Sequence, residues 1–181
     1  MPEQLTGSTR PDDGAGSLTA GSPKRASESA TEMVQVVLPN DANPLGFILG
    51  GTVMHLIDIA GAIACHRHTR SLLVTAAVDG LQFLHPIKVG DLIILKARVT
   101  AAWSTSLEVE VEVFSEETLT GVRSMTSRAY LTFVSIDREG RRVPIPALIL
   151  ETEDEKIKAA EADVRRAERL KARKILEARC E

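Results

Sequence analysis

The chain has 181 residues, of which 44% are hydrophobic and only 3% aromatic, so its length allows one domain with a core of Val, Leu, Ile and Ala. The formal net charge of −3 gives no basic surface for nucleic acid, and no apolar run reaches the roughly 18 residues of a membrane span. Two cysteines are too few for a disulfide framework or a zinc site, so we expect a reducing, cytoplasmic location and no metal.

The first 31 residues are rich in Gly, Ser, Thr, Ala and Pro and carry hardly any large apolar side chain. Such a segment cannot bury enough surface to offset the entropy that it would lose on ordering. It has neither the apolar stretch of a secretory signal nor the acid-free composition of a presequence. We therefore predict a disordered leader over residues 1–31, a folded domain over 32–150 and a helical extension over 151–181.

The next elements are a short strand, a loop and an apolar helix. Alternation predicts the strand over residues 33–38, and Pro, Asn and Gly mark the loop over 39–46. The helix should run from Gly51 to about Arg67, and it is apolar nearly all round, which is typical of a helix buried on most sides. Asp58 is its one acid, and a carboxylate in such surroundings usually has a function or a dedicated partner.

Beyond the helix, the hydrophobic period changes to two and predicts four strands. They should cover residues 73–84, 91–102, 105–115 and 124–136, with short connections that favour an antiparallel meander. In the third strand, four aliphatic side chains alternate with Glu108, Glu110 and Glu112. We therefore expect this strand to have one buried face and one face in water.

The C-terminal segment over residues 151–181 is highly charged and predicts a solvated surface helix with a thin apolar stripe; a partner-binding helix is the less favoured alternative. The whole order of elements favours an α+β fold in which an antiparallel sheet wraps one long helix. Since such a sheet leaves an open edge, we expect a dimer that joins two sheets.

Several short motifs share their order and spacing with one known family. They are Asn43-x-x-Gly46-x-x-x-Gly50-Gly51, Met54-x-x-x-Asp58-x-x-Gly61, the run Val74–Asp79 with Phe83, and Pro144-x-Pro146 before an acidic stretch. From Met33 to Lys158 the chain resembles the hotdog-fold acyl-CoA thioesterases of the cytosolic acyl-CoA hydrolase type. The resemblance implies a hotdog fold and hydrolysis of fatty acyl-CoA, with no cofactor besides the CoA of the substrate. It also implies an obligatory dimer, and we expect a hexamer built as a trimer of dimers.

The resemblance implies roles for individual residues as well. Asp58 would act as general base or nucleophile, and Asn43 from the opposite subunit would complete the site. Gly51, or else Gly50, would offer an N–H group to the thioester oxygen at the start of the helix, where glycine lets a substrate approach closely. Arg67 and Thr75 are further candidates for substrate contacts, Arg67 with a phosphate of CoA.

Other interpretations of the same residues stay open at this point. Asp58 as a cap for a backbone group, Asn43 as a turn residue beside Pro44, and Gly50 and Gly51 as packing glycines are the structural alternatives. A non-catalytic acyl-CoA-binding or regulatory module is the functional alternative, because a fold does not determine its function. A hydratase of the same fold is less favoured, since those enzymes pair an Asp with a His in a different motif.

Overall fold

The structure is a computed structural model that describes residues 20–179. The strands are β1 (Lys24–Arg25), β2 (Thr31–Val36), β3 (Leu72–Phe83), β4 (Leu92–Ala102), β5 (Ser106–Glu116), β6 (Arg123–Ile136) and β7 (Leu148–Ile149). The helices are α1 (Gly50–Thr69) and α2 (Glu153–Glu177), with short 3-10 helices at Ala26–Ser29 and Pro39–Asp41. The sequence therefore predicted both long helices and five of the strands to within a few residues. Neither long helix combines the length and apolar character needed to cross a membrane.

Five strands form one antiparallel sheet in the order β2-β4-β5-β6-β3, so that β2 and β3 are its edges. Helix α1 packs across one face of this sheet, and the core lies between them. The two approach closely at Gly61, where an added Cβ would lie 3.1 Å from Val109 and 3.2 Å from Phe133. A sheet that wraps a central helix in this way is the hotdog fold, as the resemblance implies.

The prediction that the glutamate face of β5 lies in water is wrong. Glu108 is 0% exposed and Glu110 is 4% exposed, because α2 lies over this face. Lys158 Nζ lies 2.6 Å from Glu110, and Arg165 Nη2 lies 2.8 Å from Glu108. Alternation marks these positions as polar but does not show that a distant helix brings matching charges to them.

Helix α2 turns its charged face to the sheet and leaves its apolar stripe outside. Ile157, Val164 and Ile175 are all more than half exposed, whereas Ala162 is fully buried. The predicted exposed stripe is therefore present, but the helix is docked rather than fully solvated. Thr152 caps its N terminus in a capping box with Glu155.

Residues 24–31 belong to the fold, although composition assigned them to a disordered leader. Strand β1 pairs in parallel with β7, and the following 3-10 helix buries Ala26 (1% exposed) and Ser29 (0% exposed). The Ser29 hydroxyl donates to Ala26 O at 2.6 Å and accepts from Val99 N–H at 3.0 Å. The predicted boundary at residue 31 is thus too late, because small side chains pack here through tertiary contacts. Residues 1–19, the rest of the predicted leader, lie outside the described residues.

Candidate active site

Asp58 lies on the face of α1 that the sheet leaves uncovered. It is half-buried, its neighbours Met54 and His55 are exposed, and the adjacent Ile57 faces the core. Thr75 Oγ1 donates a hydrogen bond to Asp58 Oδ1 at 2.7 Å. No other hydrogen bond or ion pair to this carboxylate is present within residues 20–179, so Oδ2 has no partner among them. The backbone-capping alternative therefore finds no support in this protomer.

Thr75 reaches Asp58 from β3, the edge strand of the sheet. The pairing of β3 with β6 shifts register just after Thr75, between Thr75 and Ala77, which marks a bulge beside the site. Sequence reasoning treated Thr75 only as a substrate contact, but the structure gives it a direct role in orienting the carboxylate. The contact joins a helix to a strand and has no signal in the local sequence pattern.

The N terminus of α1 carries no side-chain cap. Leu49 is the N-cap residue and makes no capping hydrogen bond, and its carbonyl accepts the helical bond from Val53 N–H at 3.1 Å. A Cβ added to Gly51 would meet nothing within 4 Å, and one on Gly50 would make an ordinary 3.5 Å contact with Phe83. The packing alternative is therefore not supported within the protomer. The N–H groups of the first turn, at the positive end of the helix dipole, are open to a ligand.

Asn43 shapes the loop before α1 with its side-chain oxygen. Asn43 Oδ1 accepts hydrogen bonds from the N–H groups of Leu45 at 3.0 Å and Phe47 at 3.2 Å. The turn interpretation is therefore correct as far as the oxygen is concerned. The side-chain NH₂ makes no hydrogen bond within the described part of the chain, so two donors in a fixed orientation remain for a ligand.

A cavity of about 330 Å³ opens beside Asn43 and the first turn of α1. Its apolar walls come from Phe47, Ile48, Val53 and Phe83, and three polar residues also line it, namely His85, Thr126 and Ser127. An apolar cavity with a few convergent polar groups is the usual form of a small-molecule site. This one can hold an apolar chain with its polar end at the Asn43 amide.

Within one protomer, the two principal candidates do not meet. Asp58 follows Gly50 by eight residues, which is about 12 Å along the helix axis at 1.5 Å per residue, and Asn43 precedes the helix. No described hydrogen bond links Asp58 or Thr75 with Asn43. The chain thus brings Thr75 to Asp58 and Gly50 to Asn43, while Asp58 and Asn43 stay apart.

Arg67 lies near the other end of α1, where the chain itself engages it. Its guanidinium donates to the Ala30 carbonyl and, at 3.0 Å, to the Thr31 hydroxyl. Sequence reasoning missed these contacts because both partners lie in the segment that was assigned to the leader. The contact between Arg67 and a CoA phosphate stays a prediction, and the guanidinium would have to leave these partners or share them.

Two other groups in the helix are buried and not part of the site. His68 is fully buried, its Nε2 lies 2.9 Å from Pro146 O, and burial lowers the pKa of the imidazole, which is therefore neutral at pH 7 and donates to this carbonyl. Burial, with the charge of Asp58 as a smaller cause, raises the pKa of the Cys65 thiol well above its usual value. Cys65 is therefore a core residue and no nucleophile. Within residues 20–179, no group of three His, Cys, Asp or Glu side chains is arranged to hold a metal ion.

A sheet wrapped around a helix with a carboxylate on its open side is the hotdog arrangement, and comparison with known proteins gives the family. A model of the thioesterase superfamily matches residues 45–122. The uncharacterised acyl-CoA thioester hydrolase YkhA of Bacillus subtilis is 38% identical over 147 residues, which is 81% of this chain and 85% of that protein. The chain belongs to the thioesterase superfamily, and it is a thioester hydrolase.

A human relative shows how the chain compares with a longer member. The human cytosolic acyl coenzyme A thioester hydrolase is 36% identical over 136 residues, which is 74% of this chain. The match spans only about a third of that protein's length, 36%. The family resemblance seen in the sequence is thus confirmed. The match covers only part of the human protein, so the activity of that longer protein is not carried over to this chain.

Solved structures agree with this assignment. A hexameric acyl-CoA thioesterase in its apo form superposes with a TM-score of 0.80 at 37% identity, covering 83% of this chain and 97% of that one. An acyl-CoA hydrolase from Staphylococcus aureus, solved with butyryl coenzyme A, superposes with a TM-score of 0.77 at 32% identity, covering 87% and 99%. Variants of that hydrolase in which an Asp, a Thr or an Asn was replaced by Ala have also been solved.

Proposed function

We propose that this protein hydrolyses fatty acyl-CoA to a free fatty acid and CoA, with Asp58 and Asn43 from opposite subunits in each site. The hydrogen bond from Thr75 to Asp58 carries the proposal, because it fixes one carboxylate oxygen and leaves the other without a partner among residues 20–179. Acyl-CoA as the substrate is supported by the names of the relatives, and a cytoplasmic location by the cytosolic human one.

The spacing of three residues supports the same site. In the Staphylococcus aureus hydrolase, the replaced Asn and Asp lie 15 residues apart, and the replaced Asp and Thr lie 17 apart. In this chain Asn43 and Asp58 are 15 residues apart, and Asp58 and Thr75 are 17 apart. Equal spacing across a loop, a helix and a strand supports equivalent roles for the three residues in the two proteins.

The chemistry of thioester hydrolysis follows from the groups at these places. The oxygen of a thioester gains negative charge when its carbonyl carbon is attacked, and N–H donors fixed in advance stabilise that charge. The Asn43 NH₂ and the Gly51 N–H are such donors, since the Asn43 oxygen is already tied to its own loop. Asp58 either takes a proton from the attacking water or attacks the carbonyl itself, and Thr75 holds it in place for both routes.

A second subunit is what brings Asn43 to Asp58. Strand β3 is an open edge, and Val74, Val78 and Met54 expose large apolar side chains on β3 and the adjacent face of α1. Pairing of this face with a second copy would cover the edge and the apolar surface together. We infer a dimer joined here, and, given the hexameric relative, a hexamer arranged as a trimer of dimers.

Release of free thiol from acyl-CoA of short to long chain length tests the proposed function. The wild-type protein should release CoA, and Asp58→Asn should lower the rate about a hundredfold or more while the oligomer stays intact. Asp154→Asn, at an exposed ion pair on α2, is the matched control and should keep the wild-type rate. Tight binding of acyl-CoA without thiol release would instead favour a non-catalytic binding module.

A further inference from the structure

Helix α2 crosses the outer face of the sheet, the face opposite α1, from one strand to the next. Four residues that lie opposite one another in register form a row across these strands, namely Arg98 (β4), Glu110 (β5), Tyr130 (β6) and Asp79 (β3). Helix α2 follows this row from Glu155, whose Oε1 lies 3.9 Å from Arg98 Nη1, to Arg169, which pairs with Asp79. Because β3 is an edge strand, α2 reaches the edge of the sheet at Arg169.

The helix does not end at this edge. It continues for eight residues, to Glu177, whereas from Glu155 to Arg169 it covers about 21 Å while crossing three strand spacings, or about 14 Å. At the same angle, the last eight residues extend about 8 Å past β3, which is nearly two strand spacings. All residues from 170 to 179 are exposed, and none of their side chains has a hydrogen bond or an ion pair with residues 20–169. Since helices in proteins owe most of their stability to packing, this end calls for a surface outside its own protomer.

The side of α2 that faces the sheet changes in character at the edge. Over the sheet, this side consists of residues three or four positions apart, namely Glu155, Lys158, Ala162, Arg165 and Arg169. The same spacing continues to Ala172 and Leu176, and the ion pair of Arg173 with Glu177 lies to the side of these two residues. The sheet-facing side is therefore mostly charged over the charged strands and apolar beyond the edge. It fits an apolar surface that continues the sheet.

The outer face of β3 offers an apolar surface of this kind. Val74 lies opposite Val134 in β6, whereas the next residue, Thr75, contacts Asp58 of α1 on the inner face. Val74 therefore shares the outer face with Asp79. It is 45% exposed, although α2 crosses this same face. Pairing of β3 with β3 of a second copy covers the edge but not the outer face, so Val74 stays open unless another element crosses it.

We propose that the C-terminal end of α2, residues 170–179, packs on the outer face of β3 in a second copy of this chain, around its exposed Val74. This inference rests on the dimer of the proposed function, in which two sheets join at β3. Joined sheets continue as one surface, so the outer face of the second sheet lies along the course of α2. By two-fold symmetry both helices make the same contact, with Ala172 and Leu176 towards the other subunit.

Cross-linking from position 176 tests this contact without any substrate. Leu176→Cys in a Cys180→Ser background is labelled with benzophenone maleimide, which the buried Cys65 does not reach, and is then irradiated. Denaturing gels should show a covalent dimer, and peptide mapping should find the link within residues 72–83. Ile175→Cys in the same background is the matched control, because Ile175 is similarly exposed, at 55% against 62%, but belongs to the outward stripe of α2. It should give roughly fivefold less covalent dimer.

Amide hydrogen exchange gives a second measurement on the whole chain. Leu176→Lys should raise the exchange rate of residues 170–179 roughly tenfold or more, because the new charge enters the contact, whereas Ile175→Lys should leave the rate unchanged. The inference is overturned if Leu176→Cys gives no covalent dimer, if the link maps outside residues 72–83, or if the two lysine variants exchange equally.

The outcome is separate from that of the proposed function, because neither measurement uses thiol release. A protein that forms the cross-link but does not hydrolyse acyl-CoA would retain this contact and lose the proposed function. A protein that hydrolyses acyl-CoA but forms no cross-link would retain the function and lose the contact.

Discussion

Replacing Arg165 by methionine should lower the free energy of unfolding by about 3 kcal/mol, because it leaves the buried Glu108 carboxylate without its cation. Arg165 donates to both oxygens of Glu108, at 2.8 and 3.1 Å, and its guanidinium lies 3.7 Å from the centre of the Tyr130 ring. After the substitution, the Thr100 hydroxyl at 2.8 Å is the remaining side-chain donor to Glu108. Breaking a buried pair from one side typically costs about 3–5 kcal/mol. The lower end applies here, since Arg165 is 20% exposed and water can replace part of the contact.

Urea unfolding at a fixed protein concentration measures this loss. The double variant Arg165→Met, Glu108→Gln should recover most of it, because the amide is neutral and leaves no buried charge. Arg173→Met is the control, because Arg173 and Glu177 form a mostly exposed pair whose loss should change stability by less than about 0.5 kcal/mol. A loss below about 1 kcal/mol for Arg165→Met, or a double variant no more stable than the single one, would refute the reasoning.

Three further predictions concern the site and its supporting helix. Gly51→Ala should stabilise α1 by up to about 1 kcal/mol and yet lower kcat/KM, because its methyl group enters the path of the thioester; unchanged kcat/KM in thiol-release assays would contradict the oxyanion role. Thr75→Val should lower kcat with little effect on KM, since Asp58 loses its hydrogen bond, and steady-state kinetics would show a KM effect alone if Thr75 only binds substrate. His68→Gln should flatten the pH dependence of stability, because burial lowers the pKa of His68 below its ordinary 6.5. As the pH falls through 6.5, the unfolded chain takes up a proton that the native state does not, and the wild-type protein loses stability. If the Tm of the variant and the Tm of the wild type fall in parallel between pH 7.5 and pH 5, this linkage is excluded.

Much of the fold could be predicted because its strongest patterns are local. The long strands β3 to β6 follow the two-residue period of a pleated sheet, and α1 is too apolar to lie anywhere but against it. The buried glutamates of β5 could not be predicted in the same way, because Arg165 and Lys158 reach them from more than 45 residues away along the chain. Likewise, Ala26 and Ser29 look like leader sequence in composition and pack only through tertiary contacts.

In the candidate site, too, some residues could be predicted from the sequence, whereas contacts between distant residues could not. Asp58, Asn43 and the glycine pair stand out in the sequence through a resemblance that covers several elements. The contact of Thr75 with Asp58 crosses from strand to helix and carries no sequence signal. The separation of Asp58 from Asn43 in one protomer follows from the length of α1, and it is the reason why a shared site has to be sought between two subunits.

Mixing two inactive variants tests the shared site most directly. Asp58→Asn and Asn43→Ala are unfolded and refolded together, and thiol release is compared with that of the variants refolded separately and then combined. Random pairing makes about half of the dimers mixed, and each mixed dimer carries one intact site, so about a quarter of the wild-type activity should return. No gain over the separately refolded variants would contradict a site that takes Asp58 from one subunit and Asn43 from the other.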